Sequence, residues 1–426
     1  MYADTLHLRP DPTRVLLRAF IPEQPLRVRR IVNRALALSE VEVSNELGGI
    51  RAEFGGRHRR LDDVWTEHYE KVQHHISEPQ ALSTERKVLI GALFTGEYSL
   101  ESAALFNPSI VAAPDQGGLR PNELRFILSL RAVGEGHISS VEFRSGVVRA
   151  DGSILLDTSS PFVTSPELLQ RTAQQARSTA KLNYEVRFEP SEPLSERVLF
   201  PRSETELSGI EDARFVRFVD EDGTVAYYGT YTAYDGRAIR PQLIETKDFC
   251  RFRIRTLSGP AVYNKGMALF PHRINGRYAM LSRQDDENIM LMHSDDLHYW
   301  SDPEVLIPPE QPWEMVKVGN CGSPLQTEAG WLVLTHGVGP VRKYCLGAVL
   351  LDLENPRRVL GRLKKPLVEP QRNDWQGYVP NVVYSCGGLI HQDRLILPYG
   401  INDSETRIVT FELSKLLAAL LKKNDP

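Results

Sequence analysis

Five times after residue 105 the sequence repeats one arrangement. A turn with Pro or Gly and polar residues leads into a β-run, and a hairpin follows. The instances are "FNPSIV" from Phe106, "GIEDARFV" from Gly209, "NKGMALFP" from Asn264, "GNCGSPLQT" from Gly319 and "YVPNVVY" from Tyr378. The pairs Asp151-Gly152, Asp222-Gly223, Asn275-Gly276 and Gly387-Gly388 supply hairpin turns between the runs. Five such units of about 40 to 70 residues predict an all-β core in the form of a five-bladed β-propeller. A β-sandwich is the other architecture with this texture. In a propeller the innermost strand of each blade faces the central channel. Asn107, Asp212, Lys265, Asn320 and Asn381 would then converge on one polar place.

The chain before this region has a different texture. "PLRVRRIVNRALALSEVEVSNELGG" (25–49) has apolar residues at helical spacing and closes on a double glycine, which predicts a helix. Residues 61–76 and 82–94 read as helices too, the latter with Ser83 as N-cap. The resulting division is a helical N-terminal layer over 1–100, a catalytic β-domain over 101–410 and an amphipathic C-terminal helix over 411–426. "SPELLQRTAQQARSTAKL" (165–182) predicts a further helix between strands.

Bulk properties exclude several classes. The formal net charge of -4 gives no footing for nucleic acid or an anionic membrane. The four cysteines are scattered without a CxxC pair, against a disulfide framework or a structural zinc. No metal site or cofactor is expected. The first residues lack the apolar core of a signal peptide and no run reaches membrane-span length, so the expectation is a cytoplasmic protein. The added helical layer would serve as an interface in a homo-oligomer.

"GIEDARFV" sets adjacent carboxylates, Glu211 and Asp212, with Arg214 into an apolar strand, where an unpartnered carboxylate is costly. A catalytic acid and a structural ion pair both fit. Strand alternation sends Glu211 to the face opposite Asp212. Lys265 also lies in an apolar run, either as a ligand-contacting ammonium or as a lysine snorkelling from a strand end. Trp313, in the loop "PPEQPWEMVK", is a candidate platform for a sugar face, and Trp300 a packing residue. Trp375 and Tyr378 are candidates for the mouth.

Together, "FNPSI", "GIEDARF", "NKGMALFP", "INGRYAMLSR", "SDDLHYW", "GNCGSPLQTEAGWLVLTHGV" and "YVPNVVYSCGG" resemble glycoside hydrolase family 130, a family of β-mannoside phosphorylases and β-mannosidases. The resemblance runs from about Asn107 to Asp403. It implies a five-bladed β-propeller and inverting attack on a non-reducing β-mannosyl unit, with Asp212 as the general acid. It implies substrate contacts from Arg131, Lys265 and Asp403; Asn107, Asn320 and Asn381, at the heads of the repeated runs, and Arg283 and Asp285, just after a strand where a pocket loop is expected, complete the candidate substrate-binding set. The partner is a mannose-containing oligosaccharide.

The nucleophile divides the family. Its phosphorylases hold phosphate with arginines and with a histidine in "ML-His-Arg", where this chain has Ser282 in "MLSR". Loss of a donor that can be cationic weakens a dianion site. Glu245 and Glu287 are carboxylates that could instead activate water as a general base. The expectation therefore leans to a hydrolase. The alternative is a phosphorylase using inorganic phosphate held by Arg240, Lys265 and Arg283. A non-catalytic carbohydrate-binding propeller is the alternative of another class.

Overall fold

The computed structural model describes residues 6–76, 82–171, 183–371 and 377–422. Two compact units separate, one of residues 12–100 with 160–164, the other of the remaining chain.

The smaller unit holds four helices, α1 (Pro25–Leu36), α2 (Glu40–Phe54), α3 (Leu61–Val72) and α4 (Thr84–Leu93), and a hairpin of Val15–Ala19 with Thr95–Ser99. The predicted helix over 25–49 is two helices. Ser39 and Glu42 form a reciprocal capping box that starts α2, and that helix runs on through Gly48 and Gly49 to Phe54. Ser83 caps α4 as expected, accepting from the Arg86 amide. Arg86 turns inward and donates to the carbonyls of Ala35 and Leu38, which satisfies the open end of α1.

Among its described residues the larger unit is all-β apart from short turns and α5 (Leu413–Leu421). It contains five antiparallel groups. The first comprises Ala104–Ala112, Leu124–Val133, Ser139–Val148 and Ile154–Leu156. The second comprises Gly209–Val219, Val225–Tyr234, Ile239–Thr246 and Arg251–Thr256, extended by Tyr184–Arg187 and Glu167–Arg171. A single parallel pair, Gly209 with Ser139, joins these two groups. The third runs Ala268–Leu269, Tyr278–Ser282, Ile289–Ser294, Glu304–Ile307. The fourth runs Lys317–Asn320, Gly330–Val338, Tyr344–Leu351, Val359–Arg362. The fifth runs Val383–Tyr384, Arg394–Ile401, Glu405–Glu412, and its outer strand is Leu6–Leu8.

Apolar clusters lie between successive groups. Phe143 with Phe215 and Tyr227 joins the first to the second, and Phe218 with Met280 and Trp300 the second to the third. Leu281 with Trp331 joins the third to the fourth, Leu334 with Leu397 and Leu416 of α5 the fourth to the fifth, and Ile396 with Phe126 the fifth to the first. A sheet covered on both faces needs near-continuous apolar strands rather than alternation, as in the wholly buried Gly330–Val338.

Three expectations are corrected. Residues 6–8 belong to the β unit, not to a helical layer. Residues 167–171 form a strand rather than the start of a helix, because Glu167 and Leu168 find ladder partners in Arg187 and Val186; residues 172–182 lie outside the described residues. Trp313 does not stand free as a platform. Its ring rests on Gly337 and Gly347, and its indole N–H donates to the Lys364 carbonyl. Trp300 is buried in the core between the second and third groups, where packing was expected. Among the described residues no helix is long and apolar enough to cross a membrane.

Candidate active site

The leading strands of the sheets carry a shared irregularity. Asn107 and Asp212 have left-handed backbones, with φ of 48° and 52°, and both sit where the pairing register slips by a residue. Asn264 and Asn381, at the matching places of two other units, have φ of 64°. Asn and Asp are the non-glycine residues that tolerate this region best. Such a bulge re-aims side chains, and that overturns the expectation for Glu211. It does not leave for the opposite face but lies beside Asp212.

The two carboxylates share Arg131 as a partner. Arg131 Nη2 donates to Glu211 Oε1 at 2.7 Å, and Nη1 lies 3.4 Å from Asp212 Oδ1. Lys265 Nζ donates to Glu211 Oε2 at 2.7 Å. Asn107 Nδ2 donates to Asp212 Oδ1 at 2.7 Å, which leaves the Asn107 Oδ1 buried without a partner. Beneath them, buried Arg214 donates to the Asp212 carbonyl, the Cys321 carbonyl and the Tyr384 hydroxyl. Burial pushes the Asp212 carboxyl up, but Arg131, Arg214 and Lys265 outweigh it, so the group is held below the usual carboxylate range. Asp403 experiences the reverse. Burial and the neighbouring Asp212 push its carboxyl up to about 6.

A second patch adjoins Lys265. Asn320 Nδ2 donates to the Gly266 carbonyl at 2.8 Å, and the Asn320 Oδ1 is buried without a partner. Arg283 is buried alongside; its Nη1 meets His336 Nε2 at 2.9 Å. Its Nε lies 3.6 Å from Asp286, a carboxylate gripped by Lys317 Nζ at 3.0 Å.

The remaining candidates lie apart or face solvent. Glu245, on the third strand of the second sheet, is paired to His298 at 2.8 Å. Arg240 is exposed on the same strand. Glu287 is exposed in the turn after Ser282, and Asp285 shapes that turn by accepting from the amides of Glu287 and Asn288. Asn381 accepts through its carbonyl from the Tyr344 amide. Trp375 lies outside the described residues. Sequence reasoning missed His336 and Tyr384. Their signal was present in "LTHGVG" and "VVYSCGG", where a polar ring stands inside an apolar run.

A profile of glycoside hydrolase family 130, described as beta-1,4-mannooligosaccharide phosphorylase, matches residues 171–422, more than half of the chain. The chain belongs to glycoside hydrolase family 130. Family 130 relatives include a 1,2-beta-oligomannan phosphorylase from Thermoanaerobacter sp. (strain X514), 36% identical over 230 residues, which are 52% of this chain and 75% of that protein. A beta-1,2-mannobiose phosphorylase from Listeria innocua is 32% identical over 232 residues, 52% of this chain and 63% of the relative. The solved structure of a Listeria innocua beta-1,2-mannobiose phosphorylase with beta-1,2-mannobiose superposes with a TM-score of 0.52, covering 76% of this chain and 94% of that one at 24% identity, a likeness of fold. Family 130 membership makes this chain an enzyme that acts on glycosides.

Proposed function

We propose that the chain is an inverting β-mannoside phosphorylase, built as a five-bladed propeller, that cleaves a non-reducing β-mannosyl unit and releases α-mannose 1-phosphate. The cyclic order of apolar clusters, with the fifth sheet packed on the first, supports the propeller. Asp212 is the general acid, and Asn107, Arg131, Glu211 and Asp403 orient the sugar. Lys265, Arg283 and Asn320 receive the phosphate.

The observation that carries the reading is the separation of charges. Cations gather beside Asp212, whereas of the two carboxylates considered as water-activating bases Glu245 is paired with His298 and Glu287 faces solvent on an exposed turn. The named relatives, phosphorylases all, shift the balance the same way, so the earlier lean toward hydrolysis gives way to its alternative. Entry of a phosphate dianion also resolves the low proton affinity of Asp212. Negative charge arriving among the same cations raises it toward the proton-bearing form that an acid needs. Attack from the face opposite the leaving group inverts the anomeric centre.

The test is incubation with β-mannobioses of each linkage, the 1,2-linked first because two of the named relatives carry it, with and without phosphate. Proton NMR of fresh product should show α-mannose 1-phosphate, at rates that rise and saturate with phosphate. Free mannose released at a rate indifferent to phosphate overturns the reading.

A further inference from the structure

Arg283 reaches the phosphate side of the site from within the protein, and something must hold its guanidinium there. The neighbour at its Nη1 is His336, wholly buried on the second strand of the fourth sheet. A guanidinium only donates, so His336 Nε2 accepts and the imidazole proton sits on Nδ1, which has no partner. The ring cannot swing away. Tyr344 stacks on it at 6.0 Å with planes 7° apart, and Tyr384 meets it at 4.8 Å. Gly319 leaves the space both side chains use, since a Cβ there would collide with the His336 ring and lie 3.1 Å from Arg283 Cδ. Burial and the charges of Arg283, Arg214 and Lys317 keep the ring neutral.

We propose that His336 is a positioning residue for phosphate use: a neutral acceptor that aims Arg283 at the anion without cancelling its charge. A carboxylate at this place would orient the guanidinium equally well but would neutralise it and repel a dianion. The carboxylate 3.6 Å from the Arg283 Nε, Asp286, is already engaged by Lys317. The neutral ring leaves Arg283 with charge for a ligand, and this arrangement offsets the missing histidine at position 282. Ser282 itself is occupied inside the sheet, donating to Gln284.

The inference rests on the phosphorylase reading, so the experiment separates the two. Phosphorolysis of a β-mannobiose is measured for wild type, His336→Ala, His336→Gln and His336→Glu, alongside calorimetric titration of each with inorganic phosphate. His336→Ala should raise the phosphate KM by about tenfold or more, as expected for loss of a hydrogen bond to a charged group, with the mannoside KM nearly unchanged. His336→Gln, which keeps an uncharged acceptor, should recover most of that loss. His336→Glu should be the worst of the three. If the alanine variant does not fold, the contrast of Gln with Glu decides. Equal phosphate affinity in Gln and Glu variants, or a rise shared equally by the mannoside KM, overturns the role of His336 while the phosphorylase reading stands. A wild type that neither consumes nor binds phosphate overturns both.

Discussion

Asp212 answers two demands with one side chain. Its backbone is left-handed, which only Gly, Asn and Asp adopt at small cost, and in the proposed reaction its carboxyl delivers a proton. Asp212→Asn separates them, since it keeps the conformation and the size and removes the acid. Turnover should fall by about 10²–10⁴-fold with an unchanged circular dichroism spectrum and melting midpoint; retention of most activity on a substrate with a poor leaving group would exclude Asp212 as the acid. Asp403 gives a prediction about stability. Its folded carboxyl titrates at about 6, above the roughly 3.9 of an unfolded chain. The folded state therefore holds a proton that the unfolded state has released, so this group's contribution falls as pH rises from about 4 to about 6 and stays lowered beyond. Asp403→Asn removes that dependence. Relative to wild type, the variant should gain on the order of 2 kcal/mol between pH 4 and pH 8 in denaturant unfolding, and parallel stability curves would refute the assignment.

At the scale of elements, the bulges decided how much of the site was legible. Of the proposed site, Asn107, Asp212, Lys265 and Asn320 could be picked out as polar residues at the head of a repeated β-run, whereas Arg131 and Asp403 had only the family resemblance to mark them and Arg283 only its place just after a strand. Where Glu211 went could not, since a strand's two-residue alternation gives the wrong face once Asp212 turns left-handed. The partnership of His336 with Arg283 spans 53 residues and has no local signature. Helix boundaries show the same division. The capping box at Ser39 is written in the sequence and starts α2, while the Gly48-Gly49 pair, which resembles a helix end, is tolerated inside it. Gly91 has no such signal in the sequence. It lies in α4 where a Cβ would collide with the Trp65 carbonyl oxygen of α3, so its lack of a side chain sets the approach of the two helices. Gly91→Ala, favourable by helix propensity, should instead destabilise the helical unit by about 1–3 kcal/mol through overpacking. Hydrogen exchange would read this as faster exchange of α3 and α4 amides, with the β unit unchanged. Equal or slower exchange there would show that the helices can separate freely.

At the scale of the whole molecule, the five-unit repeat was the most legible feature, because each unit has its own turn chemistry and apolar runs. The element that completes the last sheet was not legible, because its partner lies about 400 residues along the chain. Leu6, His7 and Leu8 pair with Ile408, Arg407 and Thr406, and Leu6 and Leu8 pack on the cluster between the fifth and first sheets. The ion pairs of His7 and Arg9 with Glu405 sit toward solvent and contribute little. Deleting residues 1–8 removes the ladder bonds and the half-burial of two leucines, roughly 2–3 kcal/mol in all, so the melting midpoint should fall by on the order of 5 °C. The deletion also leaves Glu405–Glu412 as a bare edge able to pair with another molecule. The truncated protein should therefore aggregate on heating in proportion to its concentration, while residual activity below the transition is retained, since Asp212 is on the second sheet, Lys265 and Arg283 flank strands of the third, and the hairpin of Arg394–Ile401 with Glu405–Glu412 that holds Asp403 stays in place. An unchanged midpoint with no added aggregation would mean that the fifth sheet is complete without its N-terminal strand.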